Sequence, residues 1–267
     1  MSAVVTLLSD FGVRDGFVAA MKGVILGIAP EVVLVDASHD IEPGDVEAAA
    51  FVLLQYCLLF AEGSVHLAVV DPRVGSERKA LAMCAMGRYI VAPDNGLVTR
   101  VLRQAQRWRC VEISDPRYLR PEPSRTFHGR DIFAPAAAHL AAGLPLERLG
   151  PAVASPVLLA LTHPVRESGE VRGRVAHVDR FGNLITDIPA DWLEGAWEIL
   201  VAGVGVGELK RTYSQVGEGE MLAVTGSLRT LEVASRGGSA AERLGVGRGE
   251  PVICRRAESR TSASESP

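Results

Sequence analysis

No two cysteines in this chain are spaced as a CxxC pair; the four present, Cys57, Cys84, Cys110 and Cys254, lie far apart. A zinc ribbon or a dithiol redox motif is thereby excluded, and Cys57 and Cys84, set in apolar runs, read as buried reduced thiols. There is no Walker motif and no GxSxG elbow, which removes the P-loop NTPases and the α/β-hydrolase nucleophile. The glycine-rich runs 203–207 and 245–249 do not lie between a strand and a helix of a βαβ unit, so neither is a dinucleotide fingerprint. His39, His66, His128 and His139 are scattered without an HxxxH pair; no metal and no cofactor is expected. A net charge of −4 lacks the basic excess that nucleic acid or an anionic membrane would require, so neither is an expected partner. The most apolar window, residues 48–61, is interrupted by Gln55 and is shorter than the ~20 residues of a membrane-spanning helix. Strand-like sequence begins at Ala3 with no basic leader before it, so no signal peptide is expected and the location expected is cytoplasmic.

What is present is apolar residue in quantity, 48% of 267 residues against 22% charged, enough for a sizeable core. Residues 3–9, 32–35 and 64–70 read as buried strands, and 15–28 and 43–60 as the helices between them. Strand, helix, strand, helix, strand is the signature of a sheet with parallel strands and helical crossovers. Residues 81–85 and 89–92 read as a hairpin about Met86-Gly87, 97–104 as a helix, and 131–142 as a helix with Pro135 in its first turn. Beyond about residue 165 the pattern changes to short strands and glycine turns, at 171–178, 198–206, 221–224, 231–234 and 251–254. The expected architecture is an α/β N-terminal domain with a mainly parallel sheet over 1–165 and a small all-β barrel C-terminal domain over 166–256. A polar, low-complexity tail over 257–267 reads as disordered.

Three of the N-terminal strands end at an aspartate: Asp10, Asp36 and Asp71. The carboxyl ends of strands form the ligand-facing edge of such sheets, although a strand-end aspartate also serves as a helix cap. Asp71-Pro72 breaks the apolar run 67–70, with Gly75 and Arg78 following and the cluster Thr126-Phe127-His128-Gly129-Arg130-Asp131 farther along. Acid, guanidinium and imidazole can converge from these stretches into a catalytic group; equally, Asp71 can cap a turn and Arg78 can be a solvated charge. Asn95-Gly96, usually a hairpin signal, here leads into a helix and marks a functional loop. His139 reads as an ordinary helix-face histidine, and Asp179 to Asn183 as a turn.

Six motifs occur in order: SDFG at 9–12, DPRVGSER at 71–78, PDNG at 93–96, TFHGRDIFAP at 126–135, DRFGN at 179–183 and GSAAERL at 238–244. Together they resemble the S-adenosyl-L-methionine (SAM) hydroxide adenosyltransferases, or SAM hydrolases, relatives of the fluorinase and chlorinase. The resemblance implies hydrolysis of SAM to adenosine and L-methionine, with SAM as substrate rather than cofactor, and a homotrimer with sites between subunits. It assigns Asp71, Arg78 and His128 as the catalytic set. For substrate it implies Asp10 at the ribose, Asp179 at the methionine amino group, Asn183 and main-chain atoms of Gly237 at adenine, and Ser227 at methionine, with Asp15, Asn95 and Phe127 as further contacts. The halogenase branch has a non-acidic residue at the position of Asp71 and lacks the equivalent of His128, so this chain departs from it toward water as nucleophile. Phe17 and Leu228 stand where the fluorinase has serine and arginine, and Thr230 and Arg236 differ from the hydrolase branch's usual residues. A halogenase-like enzyme and a non-catalytic SAM- or adenosine-binding protein are the alternatives.

Overall fold

The computed structural model describes residues 2–257; of the tail expected over 257–267, residues 258–267 lie outside the described residues. The chain divides into two compact units between Ala160 and Leu161.

The first unit opens with β1 (Val4–Ser9), α1 (Phe17–Ile28), β2 (Val33–Ser38), α2 (Val46–Cys57) and β3 (Val65–Val69). It continues through β4 (Ala80–Ala85), β5 (Arg88–Pro93), α3 (Thr99–Gln104) and β6 (Trp108–Glu112), then a π-helical turn (Gly129–Phe133) and α4 (Ala134–Ala141). The sheet order is β2-β1-β3-β5-β4-β6. β2, β1, β3 and β5 pair in parallel, whereas β4 enters antiparallel to both β5 and β6. The sheet is therefore mixed, because the hairpin at Met86-Gly87, both at positive φ, returns β4 directly onto β5.

β1 and β3 read as largely apolar runs, interrupted by Thr6 and His66, because both faces are covered. Met21 and Ile25 of α1 and Ala134 to Leu140 of α4 pack on one face with Val5, Leu7, Leu67 and Val69. Ala49 and Leu53 of α2 and Val101 of α3 pack on the other with Leu8, Ala68 and Val70. Asp45 caps α2 by accepting from the Ala48 N–H at 2.9 Å.

One sequence expectation is corrected here. β2 does not end at Asp36 but runs through it to Ser38, with Asp36 in register beside Leu7. Its carboxylate is taken by Lys22 at 2.6 Å and His39 Nε2 at 3.0 Å. The row of strand-end acids is thus Asp10 and Asp71, which follow adjacent strands in which Ser9 pairs with Val69. The connection after β1 leads to β2 on one side, and that after β3 to the opposite side, so these two acids flank the topological switch point of the sheet.

Inside the sheet, His66 is fully buried with Nδ1 2.9 Å from Thr6 Oγ1 and Nε2 3.2 Å from Ser64 Oγ, and Thr6 donates to the Tyr56 hydroxyl at 3.3 Å. A neutral ring satisfies both hydroxyls, and burial, followed by the nearby Arg88 charge, pushes His66 down to about 4. The unfolded chain, at about 6.5, takes up this proton first as pH falls. The stability held by the neutral ring is therefore complete above pH 6.5 and is lost on acidification toward pH 4, on the order of 3 kcal/mol. Urea titrations of the wild type and of His66→Gln across that window should show a steeper pH dependence in the wild type, by up to one proton. Equal slopes would refute this assignment.

The second unit comprises β7 (Val165–Glu167), β8 (Glu170–Val178), β9 (Leu184–Pro189), β10 (Trp197–Val201), β11 (Val204–Gly207), β12 (Leu209–Lys210), β13 (Met221–Thr225), β14 (Thr230–Ser235), α5 (Ala240–Leu244) and β15 (Pro251–Arg256). Its barrel-like sheet has the order β11-β10-β15-β8-β9-β14-β13-β12, with β7 on β8. Two expectations change. The strand expected over 198–206 is split into β10 and β11 by a turn with Ala202 and Gly203 at positive φ. The domain is also not purely β, since Ser239 caps the short α5 by accepting from the Glu242 N–H. The four cysteines are free, with Cys84 half-buried and the others buried. No helix among the described residues is long and apolar enough to cross a membrane.

Candidate active site

A cavity of about 320 Å³ in the first unit is lined by Asp10, Phe11, Phe17, Val69, Asp71, Val74, Thr126, Phe127, His128 and Gly129. It lies at the carboxyl ends of β1 and β3, closed by the segment that enters the π-helical turn. Gly129 is closely packed there: a Cβ would stand 3.2 Å from Met21 Sδ and 3.3 Å from the Phe11 and Phe127 rings. Those two rings and Phe17 meet edge to face or tilted, with centroids 5.2 to 5.9 Å apart, and form an apolar wall.

Asp71, Arg78 and His128 converge. Arg78 Nε donates to both Asp71 oxygens, at 3.1 and 2.9 Å, and Nη2 donates to Oδ2 and, at 2.7 Å, to His128 Nδ1. Only 4% of the Arg78 side chain and 5% of the Asp71 side chain are exposed, so Arg78 is not a solvated surface charge. Its guanidinium also lies 5.2 Å from the centre of the buried Phe133 ring. Arginine can only donate, so Nδ1 is the lone-pair nitrogen of His128 and the neutral ring carries its proton on Nε2. Burial first, and the Arg78 charge second, hold His128 below the ordinary histidine value, against smaller opposing effects of Asp71 and Asp131. This is a carboxylate and a neutral imidazole on the cavity wall, Asp71 and His128, joined by a fixed cation.

The remaining residues singled out in the sequence are placed as follows. Asp10 lines the cavity, with Oδ2 accepting the Gly44 N–H at 2.9 Å. Phe127 lines it too. Asp15 is exposed in the loop before α1 and is not among the lining residues. Asn95 sits behind Asp71: its amide donates to the Val70 carbonyl at 2.8 Å and its oxygen accepts the Leu97 N–H, bracing the end of β3. In the second unit Asp179 closes its own turn, accepting from Phe181 N, Asn183 N and Asn183 Nδ2 at 2.9 Å each. Gly182 in that turn leaves no room for a Cβ against Ser239, so the Asp179–Asn183 turn docks on the start of α5, just beyond Gly237. Ser227 is exposed in the turn between β13 and β14. His139 packs edge to face on Tyr118, as an ordinary helix-face residue.

Three groupings escaped the sequence reading. His39 is buried between Ser9 Oγ at 2.7 Å and Asp36 at 3.0 Å, an order that resembles a hydrolytic triad. Ser9 is wholly buried and does not line the cavity, so it has no access to a substrate. Instead Ser9 Oγ accepts the Phe11 N–H, and the His39 carbonyl accepts the Gly12 N–H at 2.8 Å, fixing the loop that bears Asp10. In the second unit the Tyr213 hydroxyl donates to the buried Glu232, whose carboxylate lies against Gly226, next to Ser227. An acid inside the apolar run 231–234 was the available signal. Asp131, the third, is nearly buried beneath the loop that precedes His128.

Residues 5–150 match the family described as SAM hydroxide adenosyltransferase N-terminal domain, and 173–253 match its C-terminal domain. An (R)-S-adenosyl-L-methionine hydrolase of Thermus thermophilus is 44% identical over 256 residues, spanning 93% of this chain and 98% of that protein. One of Salinispora tropica is 39% identical over 249 residues, spanning 92% and 95%. A fluorinase of Nocardia brasiliensis is 31% identical over 218 residues, spanning 72% and 73%. The crystal structure of an uncharacterized conserved protein from Thermotoga maritima superposes with a TM-score of 0.89 at 37% identity, covering 94% of this chain and 100% of that one.

Proposed function

This chain belongs to the SAM hydroxide adenosyltransferase family, and from that premise we propose that it hydrolyses SAM to adenosine and L-methionine by direct attack of water at C5′. The observation that carries the reading is the pairing of Asp71 and His128, on the wall of a cavity that also holds Asp10, through the buried Arg78 side chain.

The leaving group sets what the site must do. The C5′–S bond breaks with its electron pair going to sulfur, which turns a sulfonium into the neutral thioether of methionine, so no general acid is needed. The harder partner is the nucleophile, because bulk water has a pKa of about 15.7. Arg78 supplies a fixed positive charge beside the water as it becomes hydroxide-like. Asp71 is the base that takes its proton, and the neutral His128 ring, with its proton on Nε2, can orient the water; both are held in place by the same guanidinium. Asp10 serves the ribose, and Phe127 is a further substrate contact. On the second unit, Asp179, Asn183, Ser227 and Gly237 serve the methionine and adenine ends. Family membership also supports a homotrimer with sites between subunits, which sedimentation equilibrium tests, and a cytoplasmic location.

Incubation of the purified protein with SAM in chloride buffer, followed by chromatography of the nucleosides, tests this reading. Adenosine and L-methionine in equal amounts are expected. 5′-Chloro-5′-deoxyadenosine as the main product would identify a halogenase-like enzyme, and tight SAM binding without nucleoside release over hours a binding protein.

A further inference from the structure

We propose that Asp131 is a positioning residue of this site, one that sets the separation of His128 from Arg78 without touching substrate; the activity arm of its test rests on the hydrolase reading above. Its side chain is 3% exposed and both oxygens are occupied. Oδ2 accepts the Ser124 N–H at 2.9 Å and Arg130 Nη2 at 2.8 Å, while Oδ1 accepts Arg130 Nε at 2.7 Å and lies 3.2 Å from Arg120 Nε. The Asp131 carbonyl also accepts the Arg120 N–H at 3.0 Å. A carboxylate buried at the base of a surface loop is costly unless so fully paired, and its effect here is to tie residues 120–124 to the π-helical turn that follows His128.

Two contacts carry that tie to the site. The loop held by Asp131 presses on the loop bearing Arg78: Gly75 has φ +79°, and a Cβ there would stand 2.5 Å from the Arg125 carbonyl oxygen. Arg130, gripped by Asp131, lies 5.1 Å from the centre of the Phe127 ring on the cavity wall. Asp131 therefore fixes both chain segments that meet at the Arg78–His128 hydrogen bond. A displacement of about 1 Å between such groups is enough to lower turnover roughly 100-fold.

The test compares Asp131→Asn, Asp131→Glu and Arg120→Met with Glu147→Gln, an exposed ion-pair loss remote from the cavity. Turnover, KM for SAM, thermal midpoint and the 15N shifts of the His128 ring are measured on each. The asparagine keeps the shape but not the charge that holds two guanidinium groups. It is expected to lose about 100-fold in kcat with KM changed less than about threefold, and to move the Nδ1 resonance toward a nitrogen freed of its donor. Asp131→Glu should recover part of both, and Glu147→Gln should match the wild type. If Asp131→Asn does not fold, Arg120→Met, a change at a half-exposed residue, decides: the same Nδ1 shift with reduced kcat supports the proposal. Wild-type kcat and an unmoved Nδ1 resonance in whichever variant folds would overturn it. An inactive wild type whose Nδ1 resonance still responds to Asp131→Asn would retain the positioning role and reject the hydrolase reading.

Discussion

Arg78→Lys should lower the release of adenosine from SAM by roughly two to three orders of magnitude, with SAM affinity little changed. The substitution keeps the charge and removes the geometry. One guanidinium face grips both oxygens of Asp71 while the same Nη2 reaches His128 Nδ1 at 2.7 Å. An ammonium carries its donors on one atom and cannot span both partners, so Asp71 or His128 is left misplaced. Arg78→Met is the poorer probe, because it strands a buried Asp71 at a cost of about 3–5 kcal/mol and confuses folding with chemistry. Steady-state kinetics together with a thermal midpoint separate the two effects; turnover at the wild-type rate in the lysine variant would show that a diffuse positive charge suffices.

The second large effect lies in the pH profile. His128 accepts from Arg78, so protonating Nδ1 would set two donors face to face across 2.7 Å and break the cluster. Because burial and the Arg78 charge hold this histidine below 6.5, it is neutral at pH 7, and kcat should fall only as pH drops through a value below 6.5. His128→Ala should lose about 10²- to 10⁴-fold, and the residual activity should lack that acid limb. Since the His66 network also weakens toward pH 4, rates must be taken with protein shown to be folded at each pH. An alanine variant that keeps the acid limb of the wild type would remove His128 from the chemistry.

The sequence carried the frame of the first unit because its signals are local. Apolar runs over 3–9 and 64–70 are what a strand covered on both faces must look like, and Asp10 and Asp71 stand out where those runs stop. The family motifs then joined Arg78 and His128 to Asp71 across a separation that no periodicity reports. What stayed hidden depends on tertiary approach. Asp36 looked like a strand end because an acid rarely sits within a strand, yet Lys22 and His39 pair it there. Asn95 looked like a loop contact, but its amide is spent on the Val70 carbonyl. Asp131 sat inside a motif already noted and passed as a helix residue, since only the folded chain brings Ser124 and Arg120 to it. The antiparallel hairpin of β4 and β5 was legible at Met86-Gly87, but that β5 rather than β4 lies beside β3 became visible only in the sheet.

In the proposed reaction, water held by Asp71, Arg78 and His128 expels methionine from C5′ in a single displacement. SAM stereospecifically deuterated at C5′ reports on this directly, by the configuration of the adenosine released. One in-line attack predicts clean inversion at that carbon. Retention would require a covalent or halogenated intermediate formed and consumed in two displacements, and would contradict the account.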